Sequence, residues 1–204
     1  MYRKFESLSE EKRKRIIDAS LEEFAENGYE QASTNTIVKK AGISKGLLFH
    51  YFGSKKNLYL YLIDYIVKYM LDKFYSTQYD SMPADIFERI MQRGLIKLRM
   101  AYDNPLMYRV LFDAFVNTPG EFKDEMQQRL GSLYSQNIQK FFSGIDTSKF
   151  RKDVNPQKAV ELIAMLIDGL STKYINMYRD HTAEELLGQM DRILEEFREY
   201  LDML

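Results

Sequence analysis

The segment STNTIVKKAGISKGLLFHYF, residues 33–52, holds the side chains whose types and spacing could do chemistry. If the second half of this segment is helical, Leu48 and Phe52 share the inward face of that helix at 100° per residue. The opposite arc then carries a bare glycine, two apolar side chains and an imidazole, with Lys45 and Tyr51 at its edges: Gly46, Leu47, Phe49 and His50. Such an arc suits a DNA major groove, where apolar groups meet thymine methyls and His or Lys reaches base acceptors or phosphates.

The charge distribution agrees with this interpretation. The formal net charge of the chain is −1, yet residues 31–56 contain no acidic side chain and five lysines: Lys39, Lys40, Lys45, Lys55 and Lys56. A basic patch on a nearly neutral protein indicates a docking face of limited size for a polyanion. Chance clustering of surface lysines is the alternative.

A helix-turn-helix would position these groups. Ser33 is placed to cap a first helix over 34–41, Gly42 supplies the turn, and Ser44 is placed to cap a second helix over 45–52. Ala41 is small and allows the two helices to approach closely. A plain helical hairpin, with His50 as an ordinary surface residue, is the alternative.

Helical periodicity extends over almost the whole chain, and no segment alternates as a strand would. Ser7 and Glu10 predict a capping box for the first helix, and Asn27-Gly28 predicts its end. We expect an all-α protein with helices near 8–27, 34–41, 45–52, 55–75, 84–103, 105–117, 121–143, 156–179 and 183–203.

Several classes of protein are excluded by composition. The chain has no cysteine and only two histidines, so a metal-ligand cluster is not expected. His181 precedes a polar turn and is interpreted as solvated. No nucleophile–base pair or phosphate loop is visible, so we predict neither an enzyme nor a cofactor. The absence of a signal peptide and of a membrane-length apolar run predicts a soluble, cytoplasmic protein.

Aromatic and methionine side chains occur throughout the later helices, with 15 Tyr, 13 Phe and 11 Met in the chain. Met-rich aromatic walls adapt to varied ligands, so an apolar cavity is expected, although the same residues also form ordinary cores. The candidate wall residues are Phe74, Tyr102, Tyr108, Phe112, Phe115, Tyr134, Phe141, Met165 and Tyr174.

The last two predicted helices carry broad apolar stripes. Two such helices from each of two protomers would form an isologous four-helix contact, although part of each stripe must serve burial within one chain. The candidate interface residues are Ile163, Ile167, Leu170, Met190, Ile193 and Phe197.

The run F-A-E-N-G-Y, followed by A-S-T-N-T-I-V-K-K-A-G-I-S-K-G-L-L-F-H-Y-F and S-K-K-N-L, resembles the N-terminal signature of the tetracycline-repressor (TetR) family of bacterial regulators. The resemblance covers about 17–62. It implies a DNA-binding domain over 1–53 and a larger helical domain for ligand binding and dimerisation over 54–204. It also implies a homodimer on a palindromic operator, which a small apolar or amphipathic effector releases.

Carried over to this sequence, the resemblance implies phosphate contacts from Ser33 and Thr34. It places Asn35, Lys45 and Leu47 at bases or phosphates. The remaining groove-side residues would be Gly46, Phe49, His50 and Tyr51, with Lys55 on the DNA backbone. Leu47 and Phe49 replace the threonine and tyrosine that are common in the family, so we expect more reliance on apolar contacts and DNA shape.

The sequence therefore predicts a ligand-responsive regulator of transcription, acting as a repressor. The competing hypothesis is a helical protein that sequesters apolar ligands without binding DNA, which would leave the lysine patch unexplained.

Overall fold

The computed structural model describes residues 2–76, 83–116, 120–126, 128, 141–177, 189, 192, 195, 196 and 199. Within these ranges all regular elements are helical, as predicted. The α-helices are α1 (Arg3–Glu6), α2 (Glu10–Gln31), α3 (Thr34–Ala41), α4 (Lys45–Phe52), α5 (Lys55–Ser76), α6 (Ile86–Asp103), α7 (Pro105–Val116) and α8 (Pro156–Met177). Short 3-10 helices cover Gly120–Phe122 and Thr147–Lys149. Most of the predicted helices over 121–143 and 183–203 lies outside the described residues.

The start of the chain differs from the prediction. Ser7 ends α1, and its hydroxyl donates to the Lys4 carbonyl instead of capping α2. Helix α2 begins after Ser9 and ends at Gln31. The predicted stop at Gly28 is a kink within α2, where the backbone leaves helical geometry (φ 63°, ψ 178°). Glycine tolerates this positive φ without the strain that a Cβ would cause.

The chain forms two compact units. The first contains Met1–Ser76 and Asn104–Gln127, and the second contains Thr77–Asp103 and Gln128–Leu204. These units are grouped by packing. The boundary after residue 53, which separates residues by function, stays a prediction.

The core of the first unit is built on α2 and α5. Their buried apolar residues include Phe24 and Ile66, and α3 and α4 add Ile37 and Leu48. Close packing of such side chains supplies most of the stability of short helices, which are marginal in isolation. This core is the rigid base on which α3 and α4 are held.

The second unit has its own apolar cluster. Ile86, Ile90 and Ile163 are buried there, and partly buried side chains pack around them: Phe141, Phe142, Ile145, Phe150 and Leu166. In the described part of the chain, no helix combines the length and apolarity needed to cross a membrane.

Candidate nucleic-acid interface

The turn between α3 and α4 is built by local sequence. Gly42 ends α3 in the left-handed conformation (φ 66°, ψ 38°). The Ile43 amide donates to the Val38 carbonyl at 3.1 Å, which satisfies a carbonyl in the last turn of α3. The Ser44 hydroxyl accepts from the Leu47 amide at 3.2 Å and caps α4 as predicted. The predicted helix-turn-helix is therefore present.

A buried carboxylate holds the start of α3. The Ser33 amide donates to Glu23 Oε1 of α2 at 2.8 Å, and Glu23 is only 4% exposed. Ser33 occupies the N-cap position, but its hydroxyl makes no capping hydrogen bond. The predicted cap is thus replaced by a tertiary contact from α2. Ser33 and Thr34 are half-buried, and Asn35 is exposed.

Helix α4 presents the predicted arc to solvent. Leu48 and Phe52 are buried, whereas Lys45, Gly46 and His50 are exposed and Leu47 is 36% exposed. A Cβ added at Gly46 would meet no atom within 4 Å, so the backbone there is open to close approach. Phe49 and Tyr51 are half-buried, so they contribute less surface to the arc than their positions on the helix suggested.

Four of the five lysines of residues 31–56 divide into two groups, and Lys55 is a separate case. Lys40 pairs with Glu22 at 3.1 Å, a contact that raises the pKa of the lysine, and Lys56 pairs with Glu125 at 3.2 Å. Within the described residues, Lys39 and Lys45 have no ion-pair partner and are exposed. The charge that faces outward is therefore smaller than the sequence count suggested.

Lys55 has a structural role beside its predicted contact with DNA. Its ammonium donates to the carbonyl oxygens of Glu30 and Ala32, each at 3.1 Å, and lies 4.7 Å from the centre of the Tyr29 ring. These carbonyls belong to the C-terminal end of α2, where a cation is favoured by the helix dipole. Lys55 thereby joins α5 to the segment that leads into α3.

The sequence analysis missed the contribution of the N-terminus. Helix α1 places the Lys4 ammonium 3.3 Å from Nε2 of His50 in α4. The signal was the pattern of aromatic Tyr2 and Phe5 around the basic Arg3 and Lys4. An apolar anchor within a basic segment indicates docking, but it does not indicate the surface on which the segment docks.

The described members of the predicted effector wall lie in different surroundings. Tyr102 and Met165 are 57% and 70% exposed in the chain, so they are surface residues rather than enclosed ones. Tyr108 and Phe112 are half-buried on α7 in the first unit, and Phe141 is half-buried in the second. Tyr134 and the side chains of Phe74, Phe115 and Tyr174 lie outside the described residues.

One predicted interface residue needs correction. Ile163 is 2% exposed within its own chain and packs against Ile86 and Ile90, so its side chain belongs to the core of the second unit. Among the described side chains of α8, the large apolar ones that are exposed are Leu162 and Met165. The other predicted interface side chains lie outside the described part: Ile167, Leu170, Met190, Ile193 and Phe197.

The described residues contain no group of three or more His, Asp or Glu placed to hold a metal ion. The surface of α3 and α4 instead offers exposed donors and apolar groups, with an open backbone at Gly46. Its chemistry is that of recognition.

Comparison with known proteins finds a family that resembles the helix-turn-helix segment. Residues 16–62 match the model for bacterial regulatory proteins of the tetR family. This segment of the chain is similar to the DNA-binding region of the tetR family. The match begins in α2 and ends in α5, so it includes the helix-turn-helix described above.

Individual relatives agree with this similarity. The chain is 42% identical to the HTH-type transcriptional repressor AcnR of Corynebacterium glutamicum over 50 residues, which are 24% of this chain and 27% of the repressor. The chain covers 24–54% of the length of this repressor and of two further curated relatives. The chain therefore spans about half or less of the length of these curated relatives.

Solved structures extend the likeness in fold. A TetR family transcriptional regulator from Chloroflexus aurantiacus matches with a TM-score of 0.63 and 24% identity, covering 98% of this chain and 94% of the other. The regulator FadR of Bacillus subtilis, solved in complex with stearoyl-CoA, matches with a TM-score of 0.64 and 18% identity, covering 90% and 96% of the two chains. These likenesses show that the fold shared with these two regulators extends well beyond the helix-turn-helix.

Proposed function

We propose that the protein is a DNA-binding transcriptional regulator that recognises its operator through α4. The observation that carries the proposal is the exposed arc of α4, where Lys45, Gly46 and His50 lie in the open and Leu47 presents an apolar group. An apolar group beside a free cation and an imidazole matches the chemistry of base edges in the major groove. Sequestration of an apolar ligand would need none of these features.

The contacts within the first unit support a response to a ligand. Asp113 of α7 lies against the kink of α2, where a Cβ on Gly28 would be 3.4 Å from the aspartate Oδ2. Phe122 packs on Tyr29 and Tyr59, with ring centres 4.8 Å and 5.9 Å apart. A shift of α7 would therefore press on the end of α2, and Glu23 and Lys55 link α2 to the start of α3.

The effector that we propose is small and largely apolar, or amphipathic. Helix α7 carries the candidate wall residues Tyr108 and Phe112 next to the contacts just described, and burial raises the pKa of Tyr108. FadR of Bacillus subtilis, which shares the fold, binds stearoyl-CoA. A ligand shifts the equilibrium between a DNA-binding and a released conformation only by its differential affinity for the two, typically about 1–3 kcal/mol.

We further propose that the regulator is a cytoplasmic repressor that binds as a dimer to a palindromic site. The exposed Leu162 and Met165 of α8 lie three residues apart on one face and suit a helix–helix contact between protomers. Two α4 helices would then be spaced by about 34–36 Å, one turn of DNA.

Selection from sheared genomic DNA of the source organism tests this function. The immobilised full chain should retain a small set of duplexes at about 0.15 M salt, and those duplexes should shift in a gel at concentrations that leave a scrambled duplex free. Stearoyl-CoA and free long-chain fatty acid are then titrated as effector probes. Failure to enrich any duplex above non-specific retention would remove the regulator function.

A further inference from the structure

The N-terminal segment, residues 2–7, is anchored on α4, which carries the exposed arc, and on α5. Phe5 is fully buried, and its ring centre lies 4.7 Å from that of Phe52 and 5.2 Å from that of Tyr61. Tyr2 packs on the same two rings, and its hydroxyl donates to the Asn57 carbonyl at 3.2 Å. Two aromatic anchors within four residues fix the course of the segment.

A polar contact at the other end completes the attachment. The Glu6 carboxylate accepts a hydrogen bond from the Tyr61 hydroxyl of α5. Arg13 of α2 donates to the Glu6 carbonyl at 2.9 Å and to its carboxylate at 3.3 Å. Glu6 therefore ties the segment to α2 and α5, while Phe5 ties it to α4.

The attached segment places Lys4 beside His50. The Lys4 ammonium lies 3.3 Å from His50 Nε2, and an ammonium group can only donate. Nε2 must then accept, which places the proton of the neutral imidazole on Nδ1 and makes Nδ1 a donor. Taken as a hydrogen bond, this contact favours one tautomer of the outward-facing imidazole of α4, and its donor comes from outside the helix-turn-helix.

No carboxylate among the described residues neutralises the charge of Lys4. Arg13, Lys14 and Lys40 each have a carboxylate partner. In contrast, no ion pair joins Lys4 or Arg3 to any side chain in the described ranges, and both residues are exposed. Lys45, on the same helix as His50, is also exposed, and within the described residues neither Lys4 nor Lys45 has a carboxylate as a counter-charge. Duplex DNA carries about one negative charge per 1.7 Å and can supply it.

We propose that Lys4 binds a backbone phosphate of the operator and is a positioning residue for His50. The inference rests on the proposed function, because it needs α4 to lie in the groove. It extends the DNA-contacting surface to the N-terminal segment. It also makes the specificity of His50 dependent on a residue 46 positions earlier in the chain.

The test compares Lys4→Gln, Lys4→Arg and the control Lys68→Gln, which removes an exposed lysine of α5 outside the patch. Binding of a genomically selected duplex is measured by fluorescence anisotropy between about 0.05 and 0.3 M salt. Loss of one phosphate contact should weaken binding about tenfold near 0.1 M salt and lower the salt slope by about one unit per bound chain. Lys4→Arg should retain the slope, and Lys68→Gln should match the wild type.

A second readout follows the imidazole itself. The chain has two histidines, so two-bond ¹H–¹⁵N spectra at pH 8 resolve each ring, and His50→Gln assigns them. Wild-type His50 should carry its proton on Nδ1, and Lys4→Gln should move the population toward Nε2. Thermal unfolding of each variant verifies that the fold is kept.

The outcomes separate the two claims. An unchanged salt slope in Lys4→Gln overturns the phosphate contact, and an unchanged tautomer overturns the positioning role. If the wild type enriches no duplex, the proposed function fails and this inference fails with it. If the wild type binds specifically while Lys4→Gln behaves as Lys68→Gln does, only the inference fails.

Discussion

The Ser33 amide donates a 2.8 Å hydrogen bond to Glu23, a carboxylate that is almost wholly buried between α2 and the start of α3. This contact replaces the side-chain cap that a serine at this position would ordinarily supply. The orientation of α3 is thus set by a residue ten positions earlier, in the first-unit core.

Glu23→Ala should lower the free energy of unfolding by about 1–3 kcal/mol, because the Ser33 amide loses its acceptor in a buried place. Glu23→Gln keeps an acceptor and should lose less. Urea unfolding followed by circular dichroism measures both. Equal stabilities for the wild type and Glu23→Ala would show that this hydrogen bond does not hold α3.

Tyr59→Phe should raise the free energy of unfolding by about 1 kcal/mol, because the Tyr59 hydroxyl is buried and finds no hydrogen-bond partner in the described part of the protein. Tyr61→Phe is the matched control and should be destabilising, since it removes the bond to Glu6. Denaturant midpoints at pH 7 distinguish the two. A destabilised Tyr59→Phe would mean that the hydroxyl is satisfied in solution.

Alkaline pH should destabilise the protein through the same two tyrosines. Burial raises the pKa of Tyr59 and of Tyr61 above the ordinary value. A raised folded-state pKa stabilises the fold fully below the unfolded value of about 10, and this stabilisation is lost as the pH rises above it. Unfolding free energies measured between pH 8 and 11 should fall, and the double variant with Phe at both positions should show a shallower fall. If the unfolding free energies of the wild type and the double variant fell in parallel with pH, these tyrosines would not cause the alkaline loss of stability.

Lys55→Ala should affect both stability and DNA binding. Its ammonium donates to the carbonyls of Glu30 and Ala32, so its loss should cost about 1–2 kcal/mol in unfolding free energy. If Lys55 also contacts phosphate, as the resemblance predicts, Lys55→Ala should weaken binding to all duplexes about equally and lower the salt slope by about one unit. A loss of stability with an unchanged slope would leave Lys55 with the structural role alone.

The helix-turn-helix was predictable because its signals are local. Gly42 and Ser44 act on atoms within five residues, and the bounds of α3 and α4 match the predicted 34–41 and 45–52. Asn155 likewise caps α8 through its Oδ1, which accepts from the Lys158 amide at 3.1 Å. Where the sequence contains both partners of a contact within one turn, the structure follows from it.

The partners of the basic residues were not predictable. Lys56 meets Glu125, which is 69 positions away, and Lys4 meets His50 through the docking of Phe5. Helix α1 has only four residues and no capping signal, so it exists because of these long-range aromatic contacts. The same limit explains why Ile163 was predicted at an interface. An apolar stripe in the sequence does not show whether its residues are buried within their own chain or against a partner.

The most direct test of the central claim, that α4 reads DNA sequence, is the ratio of dissociation constants for the selected duplex and a scrambled duplex. It is measured for the wild type, Lys45→Ala, Leu47→Ala and the control Lys68→Ala at one salt concentration. Lys45 and Leu47 are exposed, so their substitution should preserve the fold. Each should reduce the ratio by about tenfold or more, since a base contact contributes roughly 1–3 kcal/mol of discrimination. Lys68→Ala should keep the wild-type ratio. An undiminished ratio in both α4 variants would contradict the account.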